Sequence, residues 1–156
     1  MNDSTDARHE HKRELIIFTV AEQSFCMDIM QVREIRGWTT VTVLPHAPGY
    51  VLGVVNLRGA VVPIVDLAAR LGLPPLKPEA RHVILVTQIA DQVVGFFVTA
   101  VSDILSVPPS SIQPMPDMSG AETSEYIEGL IVVEDTTISI LNAAAAAPAI
   151  ALSGTA

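Results

Sequence analysis

A mainly β protein, built from two small barrels with one or two short helices, is the fold class that the sequence predicts. Three observations carry this. The apolar segments are short, rich in Val and Ile, and separated by turn residues, the pattern of strands and not of long amphipathic helices. Helical spacing is confined to two brief stretches. An internal repeat sorts the strands into two similar sets, and about five short strands per set close as a small barrel.

In chain order, Leu15 to Val20 is strand-like, and Ala21-Glu22-Gln23-Ser24 turns the chain before Phe25-Cys26-Met27. Asp28 to Ile35 has an N-cap aspartate followed by apolar residues at helical spacing, which predicts a helix there. Val51 to Leu57 and Ala60 to Val65 flank Arg58-Gly59, a hairpin signal. Asp66 to Leu71 is a second short helix, closed by Gly72 and the Pro74-Pro75 breaker. The proline-rich stretch Leu73 to Ala80 links the halves. Arg81 to Gln88 and Gln92 to Val98 pair across Ile89-Ala90-Asp91, and Ile127 to Val133 pairs with Thr136 to Leu141 across Glu134-Asp135.

The repeat is visible without gaps in two blocks. A shift of 69 positions lays Glu14 to Ile35 over Val83 to Ile104, with Ala21/Ala90, Gln23/Gln92, Val32/Val101 and Ile35/Ile104 identical. Glu22/Asp91 and Glu34/Asp103 keep their charge in that register. A shift of 76 positions lays Tyr50 to Asp66 over Tyr126 to Asn142, matching Tyr50/Tyr126, Gly53/Gly129 and Ile64/Ile140. Residues 1–13 read as a flexible polar tail and 14–142 as the folded unit. Its subdomains span approximately 14–72 and 81–142, with exchange of strands between them left open. Residues 143–156 read as an alanine-rich tail.

Composition narrows the function. Hydrophobic residues make up 49% of the chain and charged residues 17%, which suits a folded protein and not a disordered one. No apolar run reaches the roughly 18 residues of a membrane span, and the polar start resembles neither a signal nor a transit peptide. A net charge of -8 repels phosphate backbones, so nucleic acid is not an expected partner. The single cysteine, Cys26, lies in an apolar stretch and reads as a buried inert thiol. A cytoplasmic location fits these features.

Catalysis needs a nucleophile and base, or an acid and base, converging in a pocket. The histidines are His9, His11, His46 and His82, two in the tail and two beside turns. His9-x-His11 lacks a third ligand, and no phosphate-binding Gly-rich loop or Gly-x-Ser-x-Gly elbow occurs. No enzyme activity, cofactor or metal is expected.

Residues that differ between repeats are the place to look for function. Across the repeat Arg58 faces Glu134, a reversal of charge at a turn. Arginine offers a planar fork of donors suited to a carboxylate or amide, although an exposed turn arginine is ordinary in itself. Its context is not ordinary. Glu34-Ile35-Arg36-Gly37, then Gly53-Val54-Val55-Asn56-Leu57-Arg58-Gly59 with Val62-Pro63-Ile64-Val65-Asp66-Leu67, then Val94-Gly95 and Val101-Ser102-Asp103-Ile104-Leu105 together resemble the CheW family pattern. The similarity runs from about Glu14 to Asn142. The pattern is shared with the regulatory domain of the chemotaxis kinase CheA and with CheV, but this chain has no room for kinase or receiver domains.

The resemblance implies two SH3-like five-stranded barrels and a non-enzymatic chemotaxis scaffold that couples chemoreceptors to CheA. An adaptor of the same fold in another chemosensory pathway, such as pilus motility, is the alternative. Receptor-contact positions carried over by the motif are Val32, Glu34, Gly53, Asn56, Arg58, Val101 and Ile104. Met115 and Met118, in the Met115-Pro116-Asp117-Met118 loop, match a contact with the kinase ring. Implied partners are the chemoreceptor cytoplasmic tip, the CheA regulatory domain and other copies of the chain in rings, without insertion into the membrane. The chain would be cytoplasmic and recruited to receptor arrays. Two features depart from the pattern: Thr99 stands where an acidic residue is common, and Ala143 to Ala147 before Pro148 replaces an amphipathic C-terminal helix.

Overall fold

In the computed structural model of the chain, residues 12–115 and 125–148 are described. The first half runs β1 (Arg13–Val20), β2 (Gln23–Asp28), a 3-10 turn (Ile29–Gln31), β3 (Val32–Gly37), β4 (Val51–Leu57), β5 (Ala60–Asp66) and α1 (Leu67–Arg70). The second runs β6 (Val83–Ile89), β7 (Gln92–Val98), β8 (Ala100–Val107), a 3-10 turn (Pro109–Ser111), β9 (Ile127–Val133), β10 (Thr136–Leu141) and α2 (Ala143–Ala146). The strands form two five-stranded sheets, β3-β6-β7-β5-β4 and β8-β1-β2-β10-β9, here called barrel I and barrel II. Each draws three strands from one repeat and two from the other.

The duplication holds at the level of individual pairings. Ile17 opposite Cys26 in β1–β2 has its counterpart in Val86 opposite Gly95 in β6–β7. The parallel contact Ile64–Gly95 repeats as Ile140–Cys26, and Glu34–Val86 repeats as Asp103–Ile17. Turn residues repeat as well: Ala21 and Ala90 are both left-handed, as are Arg58-Gly59 and Glu134-Asp135. In each barrel a loop residue straps an outer strand, Thr42 on Val54 of β4 and Gln113 on Leu130 of β9.

Burial on both faces explains the near-continuous apolar runs. In β1, Leu15 and Ile17 point into barrel II, where they meet Cys26, Val107, Ile131, Ile138 and Ile140. All five strands of that sheet contribute to the cluster, so the sheet must curl around it. Val62, Ile64, Ile84, Val86 and Phe97 fill barrel I. The alternate residues of β1, Ile16, Phe18 and Val20, join Phe25, Met27, Leu85 and Phe96 in a third cluster between the barrels, covered by Leu67, Ala68, Ala143 and Ala146 of the short helices. Fully burying a side chain the size of Phe or Leu stabilises by roughly 1.5–3 kcal/mol, so the seam is a core in its own right.

The helix expected over Asp28 to Ile35 is corrected. Asp28 does act as a cap, its Oδ1 accepting from the Met30 amide at 2.9 Å, but the helical geometry stops after Ile29–Gln31. From Val32 the backbone pairs with β6, and ladder bonds together with β-branched residues override the local spacing. The Asp66 cap holds: its Oδ1 accepts from Ala69 N at 3.3 Å and its Oδ2 from Leu76 N at 3.1 Å. Burial pushes the Asp66 carboxyl above its ordinary range despite those bonds. The alanine run forms a turn of helix capped by Asn142, whose Oδ1 accepts from Ala145 N at 3.2 Å.

Cys26 is fully buried in barrel II, and burial pushes its thiol up to about 12. The thiolate is the nucleophile, so iodoacetamide at pH 8 is expected to leave the native protein unlabelled and to modify Cys26 quantitatively in urea. Rapid labelling of the native protein would contradict the burial.

Candidate functional site

The β4–β5 hairpin presents its turn in a strained form. Arg58 has φ 53 and Gly59 φ 85, the two left-handed residues that a tight type I′ connection requires. Glycine adopts this conformation without cost, whereas an L side chain costs roughly 1–2 kcal/mol there. Asn56 stabilises the bend, its Oδ1 accepting from the Gly59 amide at 2.9 Å. Ala21, Ala90 and Glu134 share the conformation at the other hairpin turns, so what sets this turn apart is the arginine side chain it carries.

That side chain is 78% exposed, yet its Nη1 lies 2.8 Å from Glu34 Oε1. Glu34 is on β3 and Arg58 borders β4, the two outer strands of barrel I. The ion pair therefore joins the open edges of the sheet where no ladder does. Arg36, two residues from Glu34 and on the same strand face, donates to Glu34 Oε2 at 2.9 Å. Hydrogen bonds from Arg36 and then Arg58 hold the Glu34 carboxyl below the usual carboxylate range. Arg33, also on β3, donates to Gln88 Oε1 at 3.0 Å.

A shallow cavity of about 190 Å³ opens beside this network, lined by Arg33, Glu34, Leu57, Arg58, Val62 and Val86. It is smaller than the roughly 300 Å³ at which small-molecule sites begin. Two arginines hold the Glu34 carboxylate, and Arg33 and Arg58 line the cavity over an apolar floor, a local excess of positive charge on a chain of net charge -8. In barrel II the equivalent positions are Asp103 and Glu134, both exposed carboxylates. Among the described residues neither is ion-paired. The two barrels share a fold and differ in the chemistry of this corner.

The remaining sequence-derived positions fall into four groups. Val32 and Val101, equivalent in the repeat, are partly buried and pack on the inter-barrel cluster, as does Met115. Ile104, on β8 of barrel II, is 55% exposed. Gly53 serves the backbone: a Cβ there would collide with the Thr42 carbonyl, so its bare backbone lets the Thr42 strap close over β4. Met118 lies outside the described residues. The sequence reading did not single out Arg36 and Arg33 as site residues, although the Glu34–Arg36 spacing of two along a strand was a usable signal.

The family of CheW-like domains matches residues 14–150. The chain belongs to the CheW-like family. It is 54% identical over 129 residues to the chemotaxis protein CheW of Rhizobium meliloti, covering 83% of each chain. It is 49% identical over 141 residues to the probable chemotaxis protein CheW of Rhizobium etli, covering 90% of this chain and 91% of that one. Among solved structures it resembles the scaffolding protein TtCheW of Thermoanaerobacter tengcongensis, with a TM-score of 0.77 at 28% identity over 84% of this chain and 89% of the other. Membership makes the chain a CheW-type chemotaxis scaffold with the two-barrel CheW fold. None of the helices among the described residues is long and apolar enough to cross a membrane.

Proposed function

We propose that the protein couples chemoreceptors to the histidine kinase CheA without catalysing a reaction itself, receiving the receptor's cytoplasmic tip along the seam between the barrels. The observation that carries this is Arg58: an arginine at a strained turn, tethered by Glu34 but largely exposed, in barrel I and not in barrel II. Its fork suits carboxylates and amides on a helical hairpin. Val32 and Val101 supply apolar contact at the seam, and Asn56 and Ile104 extend the surface on either side. The loop containing Met115 and Met118 serves the CheA regulatory domain, and two similar but unequal barrels suit head-to-tail joining into rings. Such a scaffold works in the cytoplasm at receptor arrays.

The test is reconstitution. Immobilised protein is expected to retain a receptor cytoplasmic fragment and the CheA regulatory domain, separately and together. CheA autophosphorylation should rise only when receptor, kinase and this protein are all present. Stimulation of the kinase without receptor, or failure to retain the receptor fragment, would overturn the proposal.

A further inference from the structure

Arg70, the last residue of α1, leaves its own helix to serve the other one. Its Nε donates to the Ala146 carbonyl at 3.1 Å and its Nη2 to the Ala145 carbonyl at 3.2 Å. The same guanidinium lies 4.0 Å from the Tyr50 ring centroid and 4.8 Å from that of Tyr126. Tyr50 and Tyr126 are repeat equivalents, each tied through its carbonyl to the helix cap of its own half, Asp66 and Asn142. One cation thus touches both members of a symmetric pair. The repeat register puts Ala146 opposite Arg70, so the contact is not duplicated.

The two helices end differently. Gly72, with φ 82, closes α1 through backbone bonds to Ala69 and Ala68 from Gly72 and Leu73. After α2, Ala147 is extended, and the last carbonyls go to Arg70. A four-residue alanine helix cannot offset its own nucleation cost, so α2 is held from outside: by the Asn142 cap, by burial of Ala143 and Ala146, and at its C-terminal end by that guanidinium. Tyr50, Tyr126, Val32 and Val101 all pack on the inter-barrel cluster. The tyrosine pair and the two valines thus border one shared core.

We infer that Arg70 is a positioning residue that fixes the angle between the barrels and thereby the affinity of the seam for its partner. The inference rests on the receptor-seam proposal above. Lysine is a poor substitute, because it has no planar fork to bond two carbonyls while stacking on two rings.

The experiment uses the full chain with Arg70→Ala and Arg70→Lys. Residual dipolar couplings report the barrel angle, amide exchange reports Asn142 to Ala147, and calorimetry reports affinity for a receptor cytoplasmic fragment. Arg70→Ala should weaken binding by about fivefold or more. Its couplings should fit each barrel separately but not both in the parent orientation. Arg70→Lys should fall between it and the parent protein, and carries the same comparison if the alanine variant does not fold. Parental affinity and orientation with faster exchange at 142–147 would reduce Arg70 to a local clamp and overturn the inference. If the parent protein itself fails to bind the fragment, the receptor-seam proposal falls, while the couplings still decide whether Arg70 sets the angle.

Discussion

Arg58→Glu is expected to weaken binding of a receptor cytoplasmic fragment by about tenfold or more, with the thermal midpoint close to that of the parent protein. The side chain is 78% exposed and its partner Glu34 is 24% exposed, so the pair sits at the surface, where ion pairs add little to folding. Reversal would place a second carboxylate beside Glu34 and leave Arg36 as its one remaining ion-pair partner. The rim would lose its donor fork and much of its positive charge, so an acidic or amide-bearing partner would meet repulsion. Salt should narrow the deficit, since exposed charges are screened over about 10 Å at 0.1 M. Arg81→Glu is the control, because Arg81 pairs with Glu79 on the proline-rich connection and undergoes the same change of charge. Equal losses in both variants, or none at Arg58, would dismiss the hairpin as a binding element.

Gly53→Ala should cost about 3 kcal/mol of folding stability, from backbone strain and the loss of two strap hydrogen bonds. Gly53 has φ 153, and a Cβ on it would strike the Thr42 carbonyl group. Thr42 and Val54 exchange bonds of 2.9 and 2.8 Å across that point, so the collision falls on backbone that cannot swing away. The repeat supplies an internal comparison. A Cβ on Gly129 would sit 3.0 Å from the Gln113 carbonyl oxygen, tight but tolerable with a small shift. Urea denaturation should therefore show a clearly smaller loss for Gly129→Ala. Equal losses would mean that the strap on β4 has no special role.

The hairpins were legible because β-branched runs alternate with short turns, and the duplication because Tyr50/Tyr126 and Gly53/Gly129 stand out from the valines around them. The Asp66 cap was legible for a local reason: its partner amide is three residues away. Asp28 misled for the same reason, since a cap and one turn say nothing about the ladder that takes over at Val32. At the site, Arg58 and Glu34 emerged from motif and charge reversal, but their mutual contact spans 24 residues and closes a sheet whose order no periodicity encodes. Arg70 looked like any helix-terminal arginine. Its role depends on two rings and two carbonyls brought from both halves, which only the fold assembles.

The crossing of strands between barrels has a further consequence. β1 and β2 complete the barrel made by β8, β9 and β10, just as β6 and β7 complete the other. Separated from its twin, a half-chain would hold a hairpin with no sheet to join, and a second hairpin and a single strand parted by the gap that the twin's hairpin fills. It could satisfy both only by trading hairpins with a second copy. The protein thus has the wiring of a domain-swapped homodimer whose two subunits have been spliced into one chain by the prolines after α1. Splicing freed each half to diverge at its outer corner, one becoming basic and the other acidic, while the shared seam held both in register. It also means that pairs such as Arg13–Val107 must wait for most of the chain, so folding should be slow for a domain of this size.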